Sequence, residues 1–203
     1  MKRTVIVSCS ALAALLLAAA PMVHAADAKA PAKAAPAAKA SGASAERANI
    51  VRSLADAKEK LISLAEATPA EKFAWRPAEG VRSVGEVYLH VAEANFGLPT
   101  FWGAKAPAGI DLQNLEKEGG DKAKTVDLLK RSFDNVQSAI DAVPDADLGK
   151  DVSFFGRQSS VRGVFMILAS HAHEHLGQSI AYARMNGVVP PWSAGQGKKA
   201  EGK

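Results

Sequence analysis

Between residues 45 and 193, apolar side chains recur every three or four positions. That spacing lines one face of an α-helix with about 3.6 residues per turn. Residues 45–67 carry Ile50, Leu54, Leu61, Leu64 and Ala65 on one stripe, with Arg52, Asp56, Lys58, Glu59 and Lys60 elsewhere, and Thr68-Pro69 ends the pattern. Ser83-Val84-Gly85-Glu86 predicts the start of a second helix. The Ser83 hydroxyl can accept from the Glu86 backbone N–H while the Glu86 carboxylate reaches back, and Val84, Val87, Tyr88 and Val91 follow as its stripe. Asp121 caps a third helix running to about Val143, with Val126, Leu129, Phe133, Val136 and Ile140 inward and Pro144 as the stop. A fourth begins after Ser159 or Ser160 and ends at Asn186-Gly187, and Pro190-Pro191 prevents its resumption.

The joints between these helices differ in weight. Phe73-Ala74-Trp75-Arg76-Pro77 is a connector whose aromatics are expected to pack on the helices. Residues 97–120, with Pro99, Phe101-Trp102, Pro107, Gly109 and Gly119-Gly120, are long for an idle connection and predict a crossover or a lid over a pocket. The bland alternative is that Phe101 and Trp102 fill the bundle end. Around Val152-Ser153-Phe154-Phe155-Gly156 a short extended piece is expected. With no internal repeat and no convincing set of strands, the fold class is all-α, a four-helix bundle in a single domain.

The fourth helix departs from simple patterning. At about 100° per residue, Val164, Leu168, His171, His175, Gln178 and Tyr182 share one stripe, and His173 falls on the opposite face. Histidines at i and i+4 stand on adjacent turns, with Cβ atoms about 5–6 Å apart, and can direct two nitrogens at one cation at about 2.0–2.1 Å. Two core histidines with separate hydrogen-bond partners are the alternative, which requires two buried acceptors where one ion would serve both. A third ligand has to come from another helix. His90, at the edge of the second stripe, is either an ordinary boundary histidine or that ligand.

The ends of the chain narrow the setting. Lys2-Arg3, the apolar run from Ala11 to Ala20 and Val23-His24-Ala25 have the order of a secretory signal peptide over residues 1–25. Residues 26–44, rich in Ala, Pro and Lys, read as a disordered tether, residues 45–193 as the folded domain, and residues 194–203 as a loose tail. Cys9, the only cysteine, would leave with the signal, so a metal site must use nitrogen and oxygen donors. The calculated pI of about 9.2 suggests nucleic acid only superficially. Residues 46–193 hold 17 Lys and Arg against 19 Asp and Glu, a net of −2. A nucleic-acid partner is therefore not expected, nor is lasting membrane insertion once the signal is removed. The expected location is periplasmic or secreted.

The motifs His171-x-x-x-His175-x-Gly177-Gln178, Tyr182-x-Arg184-x-x-Gly187 and Pro190-Pro191, with the earlier Trp75-Arg76-Pro77 and Ser83-Val84-Gly85-Glu86-Val87-Tyr88-Leu89-His90, together resemble the DinB-like family. The likeness extends over roughly residues 46–192. It implies a four-helix bundle with a three-histidine metal site whose ligands are His90, His171 and His175. Relatives include thiol-cofactor transferases and a thiol-dependent maleylpyruvate isomerase. The export signal is a departure, because those thiol cofactors are cytoplasmic.

Three neutral imidazoles would leave positions on a divalent ion open to water or substrate, and the ligand type suits zinc, nickel or iron without choosing among them. Glu174, Glu86 and Glu93 are the carboxylates nearest the candidate ligands in sequence. Gln178 is placed to orient His175, and Arg184 to bind an anion or form an ion pair. Two classes of function follow: a metal-dependent enzyme performing hydrolysis or nucleophilic (including thiol) group transfer on a small molecule, or a non-catalytic metal-binding or structural bundle. A homodimer is compatible with either. The first expectation is processing: N-terminal sequencing of the exported protein should begin at or beside Ala26, and recovery of Met1 from a cytoplasmic fraction would exclude it.

Overall fold

The computed structural model describes residues 42–194. The signal-peptide reading of residues 1–25, nearly all of the tether and nearly all of the tail lie outside them. Among the described residues, four α-helices form: α1 (Gly42–Ala67), α2 (Val84–Gly97), α3 (Lys122–Asp141) and α4 (Val161–Met185). Two short antiparallel strands, β1 (Asp151–Phe154) and β2 (Arg157–Ser160), lie between α3 and α4. α1 packs mainly on α4 and α3, and α2 on α3 and α4. Along the α2–α4 seam, Trp75 meets Tyr182, His90 meets His171 and His175, and Trp102 meets Phe165. Numbers rise on one side as they fall on the other, so the two helices run antiparallel.

The expected caps are present. Ser83 and Glu86 make the reciprocal pair, Ser83 N–H donating to Glu86 Oε2 at 2.7 Å and Glu86 N–H to Ser83 Oγ at 3.3 Å. Asp121 accepts from the Lys124 amide, and Ser160 from the Gly163 amide, both at 3.1 Å. Each cap satisfies an N–H that has no partner within its own helix. Two more donors of α2 are met by the preceding connector, Val84 N–H by the Trp75 carbonyl at 2.9 Å and Gly85 N–H by the Phe73 carbonyl at 3.0 Å.

Three features depart from the patterning. α1 starts at Gly42, within the stretch expected as tether. Its first turns are held by polar contacts that hydrophobic periodicity does not register: the Ser44 hydroxyl donates to Asp145, and Arg47 pairs with Asp145 at 2.9 Å and donates to the Ile140 and Val143 carbonyls. The extended piece after α3 is a complete hairpin, paired from Asp151↔Ser160 to Phe154↔Arg157. α2 is buried on two faces. Besides the main core, Leu89, Ala92 and Phe96 join Leu115 and Leu128 in a second apolar cluster, covered by Ile110 and Leu112 of the long connection.

The hairpin turns through Phe155 and Gly156, both at positive φ (48° and 78°). Such two-residue loops favour Asn-Gly or Asp-Gly. An aromatic residue in the left-handed region costs about 1–2 kcal/mol, yet the Phe155 side chain is 73% exposed.

A backbone contact fixes the long connection against α2. A Cβ built on Gly85 would lie 1.7 Å from the Gly119 carbonyl oxygen, and one on Gly119 would lie 2.5 Å from the Glu86 nitrogen. Neither position has room for a side chain. Alanine is intrinsically better than glycine in a helix by about 1 kcal/mol, but here Gly85→Ala should destabilise the protein, by about 1–3 kcal/mol or more. Denaturant unfolding measures the sign, and a stabilised variant would mean that the two backbones do not touch.

Candidate metal centre

His90 sits midway along α2, while His171 and His175 occupy adjacent turns of α4 facing it. The ring centroids are 4.9 Å apart for His90–His171, 4.7 Å for His90–His175 and 4.5 Å for His171–His175. Nε2 of His90 and Nε2 of His171 are 3.2 Å apart. One ligand atom from each of the three residues lies within 4.8 Å of the others. Two nitrogens bound to one ion at about 2.0–2.1 Å can be no farther apart than about 4.2 Å, so the close pair fits a shared cation.

The Nδ1 atoms of His90 and His175 are engaged in a way that aims those two rings. His90 Nδ1–H donates to Glu116 Oε1 at 2.7 Å, and His175 Nδ1–H donates to Gln178 Oε1 at 2.8 Å. In each ring this leaves Nε2 as the lone-pair nitrogen. Gln178 is held in turn by donating to Tyr182 Oη at 3.0 Å, and Trp75 packs edge-on against Tyr182 at 5.4 Å. Glu116 is gripped by Arg82, with Nε to Oε2 at 2.7 Å and an Nη2 contact to Oε1 at 3.0 Å. A ligand imidazole donating to a carboxylate or amide oxygen is the outer-shell arrangement that fixes ring tautomers in metal sites.

Electrostatics agree with neutral rings. Burial pushes the His90 pKa below its ordinary value, outweighing the hydrogen bond to Glu116, and Arg82 and His175 act in the same direction. His171 is lowered to about 4, by burial first and then by His175 and His90. Metal ligation requires unprotonated imidazoles, and these two are unprotonated at neutral pH. Burial, then the charge of Glu116 and a hydrogen bond to it, raise the Glu93 pKa. Burial alone would raise Glu116 too, but its bonds to Arg82 and His90 outweigh that and hold it below the usual carboxylate range. The two carboxyls are thus pushed apart, Glu116 toward the anion and Glu93 toward the acid.

Two of the three histidines border a cavity of about 370 Å³. His90, Glu93 and His171 form one side, and Leu98, Phe101, Leu112, Phe154, Phe155 and Ile167 most of the rest. Leu98, Phe101, Leu112, Phe154 and Phe155 thus come from the connections flanking the helices. The residues of the long connection divide their work, since Phe101 faces the cavity while Trp102 packs on Phe165 at 5.0 Å.

Other residues flagged in the sequence lie elsewhere. Glu86 is engaged by its cap and by Arg76 at 2.9 Å. Glu174 and Arg184 are exposed on α4 and belong to no histidine-carboxylate cluster among the described residues. His173, on the far face, contacts the Ser53 carbonyl at 3.0 Å and hydroxyl at 3.1 Å, joining α4 to α1. Glu116 was not singled out in the sequence. It sits 26 residues from His90 on a single 3-10 turn (Leu115–Glu118), where no helical period marks it. The usable signal was Gly119-Gly120 beside it, which permits the close approach to α2.

Among known proteins, the DinB superfamily model matches residues 53–179. A solved DinB-like protein from Bacillus cereus ATCC 10987 superposes with a TM-score of 0.63 at 20% identity, covering 71% of this chain and 95% of that one. Another, from Bacillus subtilis, covers 70% of this chain and 93% of its own at 20% identity, with a TM-score of 0.48. No curated protein matches the chain. The family match spans more than half of the sequence, and the bundle agrees with the fold of the B. cereus protein: the chain belongs to the DinB superfamily.

Proposed function

We propose that this protein is an exported metal-dependent enzyme acting on a small molecule by hydrolysis or nucleophilic group transfer. His90, His171 and His175 hold one divalent ion, and Glu93 moves the proton. The observation that carries the reading is the convergence of three imidazoles, two of them at the wall of an apolar cavity that also contains a carboxyl of raised pKa. Bound there, an ion would supply Lewis-acid polarisation of a substrate atom and an activated nucleophile near neutral pH.

The side chains supply the rest. Arg82 and Glu116 keep His90 donating through Nδ1, and Gln178 does the same for His175, so neither ring needs to reorient during a reaction. Glu93 lines the cavity alongside two of the imidazoles. With its pKa raised from the ordinary value by burial and by Glu116, it is suited to accept a proton from a nucleophile and return it to a leaving group. The apolar walls limit water around the reacting atoms, which strengthens those interactions. The first 25 residues support export and therefore a substrate met outside the cytoplasm.

Loading purified protein with zinc, nickel or iron(II) and measuring bound metal tests the site. One equivalent is expected, and alanine at His90, His171 or His175 should remove most of it, whereas His173→Ala retains it and loses only its tie to α1, about 1 kcal/mol. Failure of the wild type to bind any of the three ions would end the metal reading. In the metal-loaded protein, Glu93→Gln should leave metal content intact and reduce hydrolysis of p-nitrophenyl acetate by about 10²-fold or more. Metal-loaded wild type with no hydrolytic activity above free metal would favour the non-catalytic bundle.

Metal-free protein should depend on pH through the same rings. The His171 pKa is lowered to about 4 from an ordinary value of 6.5, so in acid the unfolded chain takes up a proton there before the folded one. Stability from this ring is complete above pH 6.5 and is lost as pH falls toward 4. Melting temperatures across that window, with chelator present, should fall more steeply for wild type than for His171→Gln.

A further inference from the structure

The cavity beside the histidines is bounded almost entirely by carbon. Phe101, Phe154 and Phe155 form a continuous aromatic wall, with ring centroids 4.7–4.9 Å apart, and Leu98, Leu112 and Ile167 complete the apolar surface. Among the described residues, no lysine or arginine lines it, and its one carboxylate, Glu93, stands on the histidine side. The Arg82 guanidinium is turned to Glu116. A charged group carried into the far end of this cavity would lose water and find no counter-ion, whereas an apolar group would gain contact with three rings.

Phe155 gives a second, independent indication. It occupies a left-handed turn position that suits Asn, Asp or Gly, its side chain is 73% exposed, and it nevertheless faces the cavity. Its ring touches Phe101 and Phe154, yet most of its surface stays open to solvent. It gains area when something apolar lies beneath it. Strained residues of this kind concentrate at ligand clamps.

We propose that the cavity takes the uncharged, apolar body of a small-molecule substrate, an aromatic or branched aliphatic group, whose polar head faces His90, His171 and His175. Phe155 closes over that body from the hairpin tip. At about 370 Å³, the space lies near the small end of ligand pockets, which run about 300–1,000 Å³. Substrates with a charged tail, and thiol carriers with carboxylates at the far end from the sulfur, do not fit this chemistry. The head-group part of the proposal rests on the metal reading, and the tail part rests on the walls alone.

Three probes with one head and different tails separate the two: acetohydroxamic acid, benzohydroxamic acid and para-carboxybenzohydroxamic acid, titrated by calorimetry into zinc-loaded protein. Benzohydroxamic acid should bind about tenfold or more tighter than acetohydroxamic acid, from burial of its ring. The para-carboxy compound should lose most of that gain. Phe155→Asn, which suits the left-handed turn and keeps the hairpin, should reduce the advantage of the phenyl tail severalfold with zinc content unchanged. Equal binding of all three probes, preference for the charged tail, or an unchanged ratio in Phe155→Asn would overturn the proposal even if zinc is bound. If the protein takes up no zinc but the same tail order persists in chelator-treated protein, the metal reading fails and the apolar pocket stands. Loss of the tail order there as well sinks both.

Discussion

Three imidazoles packed ring against ring inside a helical bundle impose the constraint around which the rest is arranged. Burial in a partly dry seam disfavours a charge on His90 or His171, the neighbouring rings about 5 Å away add to that, and the depressed pKa values of these two express the penalty. Kept neutral, each ring has one donor and one lone pair, and two lone pairs 3.2 Å apart repel unless a proton or a cation lies between them. At this level the bundle therefore forgoes the aliphatic packing found above and below it, where Leu168, Val164 and Val87 are fully buried. Hydrogen bonds from behind, through Glu116 and Gln178, turn that polar defect into a defined donor set.

Glu116 can act from behind His90 only because the long connection returns against the start of α2. The backbone contact between Gly85 and Gly119 brings the Leu115–Glu118 turn close enough for Arg82 and His90 to share one carboxylate. The second apolar cluster holds the same excursion from the other side, with Leu115 buried against Leu89, Phe96 and Leu128. Local backbone geometry, a minor core and an ion pair thus converge on the orientation of a single imidazole. An added methyl at Gly85 would act on the histidines without touching them.

The bundle was legible in the sequence because each helix carries a long apolar period, and α2, α3 and α4 have a cap at their start. Ser83, Asp121 and Ser160 accept the amides their positions implied. His171 and His175 stood out as polar residues on an apolar stripe, and His90 joined them through the family motif. Periodicity could not reveal Glu116, whose position depends on a contact between two glycines 34 residues apart in sequence. The opposite face of α2 was hidden for a related reason: Leu89 and Phe96 break a one-sided stripe, and only the folded connection explains their burial. The hairpin was half visible, because Phe155-Gly156 is a poor match to the usual turn pair and Arg157 to Ser160 has no apolar alternation.

The origins of the two kinds of residue indicate what family membership can transfer. The imidazoles stand on α2 and α4, elements whose separation is set by core packing, so any chain keeping the bundle and the histidines keeps their mutual geometry. Phe101, Leu112, Phe154 and Phe155 stand on the connections, which can change length and composition without altering that core. The B. cereus protein at 20% identity therefore informs the fold alone, and substrate preference has to be read from this chain's own walls. Here those walls are aromatic and uncharged except on the side where the histidines and Glu93 lie, so the division between a reactive polar end and an inert apolar end is built into the cavity.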